Sequence, residues 1–131
     1  MSSGIDPWAE KMLLKAAEDE ASIQLDELPD GPFGFHAQQA VEKLIKALLS
    51  QLNIPFEKTH DLARLTKLLN AAGEPLPPTP MPLGDLNDFA VFYRYDLLFQ
   101  FAAPDREDVR STVRLIREHV LARIATLSTT P

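Results

Sequence analysis

A chain of 131 residues with 45% hydrophobic and 24% charged content is expected to form one domain, with a core that needs no covalent staples. It has no cysteine, which excludes disulfides and thiolate chemistry, and no apolar run approaches the ~18 residues of a membrane helix. The formal charge of −6 weighs against broad, sequence-blind nucleic-acid binding but leaves room for a local basic patch.

The N-terminus, MSSGIDPWAEK, lacks a basic-then-apolar signal pattern, so a cytoplasmic location and no membrane association are expected. Asp6-Pro7 is a helix start, because Asp caps free backbone N–H groups and Pro is tolerated in the first turn. The first helix is predicted to run to about Leu28, with Trp8, Met12, Leu13, Ala16 and Ala17 on one side. "LPDGPFG" (28–34) reads as its stop, and a second helix follows from about Phe35 to Leu52, ending before Pro55. "THDLARLTKLLNAAG" (59–73) is a third helix, with Thr59 or His60 near its cap, a stripe of Leu62, Leu65, Leu68 and Leu69, and Gly73 as its stop.

The segment 73–84, GEPLPPTPMPLG, is expected to be a stiff extended loop inside the domain, since each proline fixes φ and removes a donor. A fourth helix is predicted from about Asp85 to Phe101. Its large side chains point all round the axis, Phe89, Tyr93 and Leu97 one way and Val91, Tyr95 and Phe99 the other. Such a helix belongs at the centre of a bundle or in a dimer interface. The last helix, from about Pro104 to Leu127, carries Val109, Val113, Ile116, Val120 and Leu127 on its core face. The expected fold is all-α: an antiparallel up-and-down helical bundle of four long helices plus one shorter one, in a single domain over 1–131.

Several polar residues sit where chemistry could be carried. His36, Gln39, Lys43 and Lys46 lie along one margin of the apolar arc of the second helix. They either edge the core, with the lysines reaching to solvent, or form a ridge that grips an anion near a helix N-terminus. Arg94 lies in the apolar-all-round helix, where a guanidinium is costly unless paired. It is either a structural ion pair, with Asp96, Asp61 or Glu42, or a phosphate ligand suited to its forked donors. Tyr95 beside it can stack on a base or pack in an interface.

His60-Asp61 opens the third helix and fits a cap with favourable charge better than acid–base work. With no second His at helical spacing, no metal site is expected, and no cofactor either. Arg106, Arg110, Arg114 and Arg117 form a stripe beside the core face of the last helix. It could follow a phosphate backbone or, the favoured reading at this net charge, pair with Glu and Asp across a bundle groove.

"FHAQQAVEKLIKALL" (35–49), "THDLARL" (59–65) and "FAVFYRY" (89–95), in that order, resemble the HEPN domain family over roughly residues 8 to 125. The resemblance implies a helical bundle that forms homodimers. It also implies a small prokaryotic module in which the protein is encoded beside a minimal nucleotidyltransferase, such pairs often acting as toxin and antitoxin. Catalytic members are metal-independent ribonucleases that use an Arg followed, four to six residues later, by a His. Here Phe99, Gln100 and Phe101 occupy that window after Arg94, and the next His is His119. No imidazole stands where a general base is needed.

The tyrosine that partner transferases modify in some members also has no counterpart. What the resemblance carries over is a nucleotide- or RNA-phosphate-binding role for Arg94 and Tyr95 and for His36, Gln39 and Lys43, with His60 and Asp61 in support. The expectation is therefore a binding module. The alternative is a ribonuclease in which His36 or His60 serves Arg94 as base.

Overall fold

The computed structural model describes residues 4–94 and 103–129, with side chains throughout except at 92–94. Among these residues there are five helices and no strand: α1 (Pro7–Ser22), α2 (Asp30–Gln51), α3 (Leu62–Ala71), α4 (Leu83–Arg94) and α5 (Arg106–Ser128). The expected end of the fourth helix at Phe101, and the side chains of Tyr93, Tyr95, Leu97 and Phe99, lie outside the described residues.

α2 fills the centre and packs against each of the other four helices. Its buried side chains spread round much of the axis, including Phe33, Ala37, Val41, Leu44, Ile45 and Leu48. Contacts along α2 fix the directions of its neighbours. Asp6 at the start of α1 accepts from Ser50 Oγ at 2.6 Å, while Asp19 further along meets Lys43 and His36, so α1 runs antiparallel to α2. α4 is antiparallel as well, with Asn87 beside Gln38 and Phe89 beside Phe33. α5 begins at the head of α2, where Arg106 meets Asp30 at 2.6 Å, so α2 and α5 run the same way. The long helices thus alternate in direction along the chain, as an up-and-down bundle requires.

Three boundaries differ from the sequence reading, and the contacts of the fold explain the first two. α1 stops at Ser22, and the segment beyond it is held from α5 instead of by its own helix. Arg110 Nε donates to the carbonyl of Ile23 at 2.7 Å, and Arg106 donates to the carbonyls of Asp26 and Leu28. α2 starts at Asp30 inside the stretch taken for a stop. Pro32 falls in its first turn, where a missing N–H costs nothing. α4 starts at Leu83, slightly before Asp85.

Of the expected inward face of α1, Ala16 is buried but Ala17 is exposed and Trp8 is 42% exposed, its ring 5.7 Å from that of Phe56. The centre of the bundle is α2, while α4 leaves Val91 48% exposed.

Gly34 is what lets α4 approach. A Cβ there would lie 2.9 Å from the Phe89 ring, so any larger residue would push α4 off α2.

Candidate functional site

The site is built around Glu42, which is only 3% exposed on the central helix. A buried carboxylate is expensive unless its oxygens are saturated with donors, and this one is. Gln38 Nε2 donates at 3.1 Å and Gln39 Nε2 at 3.3 Å, one turn before it on α2. Lys46 Nζ donates at 3.0 Å from one turn after, and His60 Nδ1 lies 2.9 Å away, just ahead of α3. An ionised carboxylate only accepts, so Nδ1 of His60 carries the proton and Nε2 is left with no partner among the described residues. The His60 side chain is 74% exposed.

Gln38 extends the network to the other two helices. Its Nε2 also donates to the carbonyl of His60 at 2.9 Å and lies 3.4 Å from Asn87 Oδ1 on α4. Its own oxygen accepts from Gln39 Nε2 at 2.8 Å. Asn87 in turn donates to Asp61, whose carboxylate caps α3 by accepting from the Ala63 N–H. The cap of α3 is therefore Asp61, the second member of the His60-Asp61 pair expected to cap the helix, and not Thr59 or His60.

Above this network, α2, α4 and the residues leading into α3 leave a groove of about 440 Å³, the α2–α3–α4 groove. Gln38, Gln39, His60, Asp61 and Asn87 supply its polar lining, and Phe35, Ala90 and Val91 its apolar lining. It offers amide, carboxylate and imidazole groups beside an exposed aromatic ring. Arg94 ends the described backbone of α4, three residues beyond Val91. Its side chain and all of Tyr95 lie outside the described residues.

The ridge expected on α2 is split between two carboxylates. Gln39 and Lys46 go to Glu42, whereas His36 and Lys43 go to Asp19 of α1, itself 6% exposed. His36 Nδ1 lies 2.8 Å from one oxygen of Asp19 and Lys43 Nζ lies 2.5 Å from the other. His36 and Lys43 therefore join α1 to α2 and do not line the groove. Gln38, Asn87 and Phe35 were absent from the expected site. For Gln38 the signal was present: with Glu42 it places two polar side chains one turn apart inside the apolar arc of α2.

The arginine stripe of α5 pairs across the bundle in three places. Arg106 meets Asp30, Arg110 meets Asp26 and Glu107, and Arg117 meets Glu20 at 2.8 Å. Hydrogen bonding to Glu107, then to Asp26, raises Arg110 above its usual range despite partial desolvation. Both Arg106 and Arg110 also cover the Phe33 ring, at 4.4 and 5.6 Å.

Among the described residues no group of three or more His, Asp or Glu side chains is placed to hold a metal ion, and no helix is long and apolar enough to cross a membrane. A family model for the HEPN domain matches residues 11–123. No curated protein and no solved structure matches the chain.

Proposed function

This chain belongs to the HEPN domain family, and from that premise we propose that it is a homodimeric binding module that holds a nucleotide or an RNA phosphodiester in the α2–α3–α4 groove. It does so as the partner of a minimal nucleotidyltransferase in a toxin–antitoxin-like pair. The observation that carries this reading is the groove over Glu42. Its volume of about 440 Å³ falls within the ~300–1,000 Å³ usual for small-ligand sites.

In this reading the ring of Phe35 offers a base a stacking face, and Gln39, His60 and Asn87 offer its edge hydrogen-bonding groups. Arg94, at the end of α4, and Tyr95, the next residue in the sequence, take the phosphate. His36 and Lys43 brace α1 against α2. Dimerisation is supported by Phe35 and Val91, 40% and 48% exposed on either side of the groove, which leave an apolar patch for a second copy. A nucleotidyltransferase partner and a toxin–antitoxin role rest on the family resemblance of the motifs.

Binding is favoured over catalysis by Phe99, Gln100 and Phe101 in the window after Arg94. One observation supports the runner-up, a metal-independent ribonuclease. Glu42 holds Nδ1 of His60 and leaves Nε2 free to take a proton from a ribose hydroxyl. In that case His60, and not His36, is the base.

The test is direct titration of the purified chain with ATP, AMP and a short single-stranded RNA. Binding that weakens in Arg94→Ala and Gln39→Ala, with the RNA left intact, supports the binding reading. RNA cleavage that disappears in His60→Ala supports the ribonuclease. No affinity for any of the three ligands sinks both. Light scattering that finds a monomer at micromolar concentration removes the dimer.

A further inference from the structure

α1 and α5 both pack on α2 yet barely touch one another. Their seam is crossed by arginine side chains from α5. Arg117 reaches Glu20 at 2.8 Å, and one end lower Arg110 reaches the carbonyl of Ile23 at 2.7 Å and Asp26 at 3.0 Å. Between these crossings the seam opens into a groove of about 460 Å³, where Ala17 and Ala21, one turn apart on α1, give a low wall.

Arg114 lines this groove between the other two arginines. Spacings of four and three residues put all three on one side of α5. Arg110 and Arg117 are neutralised by carboxylates and held in fixed orientations. Arg114 is exposed and has no hydrogen bond or ion pair among the described residues. The two carboxylates that line the groove, Glu20 and Glu107, are already engaged by Arg117 and Arg110 respectively, which leaves Arg114 as the uncompensated charge there. An unpaired arginine on a convex helix face is ordinary, but this one faces a concavity already furnished with two immobilised guanidinium groups. Arg117 has donors to spare, since its Nη2 is 3.9 Å from Glu118.

We propose that the α1–α5 groove binds a phosphate group, with Arg114 as its main ligand and Arg117 and Arg110 as flanking donors. A phosphate has enough acceptor oxygens to engage more than one guanidinium fork, whereas a single fork satisfies a carboxylate. Two sources share this chemistry: the phosphates of a free nucleotide and the backbone of RNA. The site lies in a different seam from the α2–α3–α4 groove and does not depend on what that groove binds.

The test uses the full chain at low ionic strength, titrated with inorganic pyrophosphate, a ten-nucleotide single-stranded RNA and a poly-glutamate peptide. Arg114→Gln should weaken pyrophosphate binding several-fold and Arg114→Glu by about tenfold or more, since one phosphate contact is lost or reversed. Both variants should melt with the wild type, because Arg114 has no internal partner to lose, and Arg94→Ala should bind pyrophosphate normally in this groove. If RNA binding also falls in Arg114→Gln, with a salt dependence shallower by about one charge, the backbone is the source. If only pyrophosphate responds, free phosphate esters are. Absence of pyrophosphate and RNA binding, binding undiminished in Arg114→Glu, or poly-glutamate bound as tightly as pyrophosphate would overturn the proposal.

Discussion

Two carboxylates flank the central helix with nearly the same companions and different surroundings. Asp19 of α1 and Glu42 of α2 are both nearly inaccessible, and each gathers one histidine and one lysine. Asp19 takes both partners from α2, so its cluster is a clamp between two helices. Glu42 takes donors from α2 and from the residue that leads into α3, and one of its two glutamines, Gln38, reaches on to α4. A groove opens above Glu42, and its histidine is largely exposed, whereas His36 is 31% exposed. The same residue types therefore make a brace in one place and a furnished cavity in the other. What separates them is how many elements converge and whether a neighbouring helix covers the result.

The comparison is broken most forcefully by removing each carboxylate. Glu42→Ala leaves His60, Lys46 and two glutamines without their acceptor. It should cost about 3 kcal/mol in chemical denaturation and abolish ligand binding in the α2–α3–α4 groove. Asp19→Ala should cost about 2 kcal/mol, yet the folded fraction should bind as the wild type does. Equal loss of affinity in both variants would mean that the two clusters work as one.

A third substitution probes the wall of the groove without touching either carboxylate. Gly34→Ala drives a methyl group into the Phe89 ring and should destabilise by roughly 1–3 kcal/mol. A crystal structure of that variant should show α4 displaced and the groove wider.

The helix pattern was legible in the sequence because apolar residues at helical spacing mark buried faces, and the core faces of α3 and α5 fell where expected. Val109, Val113, Ile116 and Val120 are all buried, as are Leu62, Leu65 and Leu69. The end of α1 was not legible. Residues 23–28 carry no strong breaker, and what holds them is Arg106 and Arg110, about eighty residues away in the chain. The start of α2 was hidden because Pro and Gly read as breakers unless it is known that they fall in a first turn.

The polar margin of α2 looked like one ridge on a helical wheel. A wheel cannot show that Asp19 of α1 claims His36 and Lys43 while Glu42, on α2 itself, claims Gln39 and Lys46. Gln38 and Glu42 could have been found from their place inside the apolar arc, since buried polar residues need partners.

Two smaller effects sharpen the contrast. His60→Ala removes an exposed ring and should change stability by less than about 0.5 kcal/mol. His36→Ala removes half of the Asp19 clamp and should cost about 1 kcal/mol, read from denaturant midpoints.

The smallest effect lies at acid pH, away from both clusters. Arg123 hydrogen-bonded to Glu74 holds that carboxyl below its ordinary range, and the Ser50 hydroxyl and Ala9 N–H do the same for Asp6. Their folded values are depressed, so their stabilisation is complete above the ordinary carboxylate range and is lost as pH falls through the folded values. Stability should thus be flat in these two groups from about pH 5 to 7 and decline below about pH 4. Glu74→Gln and Asp6→Asn should each make that decline shallower in urea titrations across pH.

The central claim is that the cavity above Glu42 is the binding site and the cluster at Asp19 is a brace. The most direct measurement is nucleotide affinity in His60→Ala and His36→Ala, side by side with the wild type. The account predicts a loss of about tenfold in His60→Ala, the cost of one good polar contact, and wild-type affinity in His36→Ala. A loss confined to His36→Ala, or affinity unchanged in both, would contradict it.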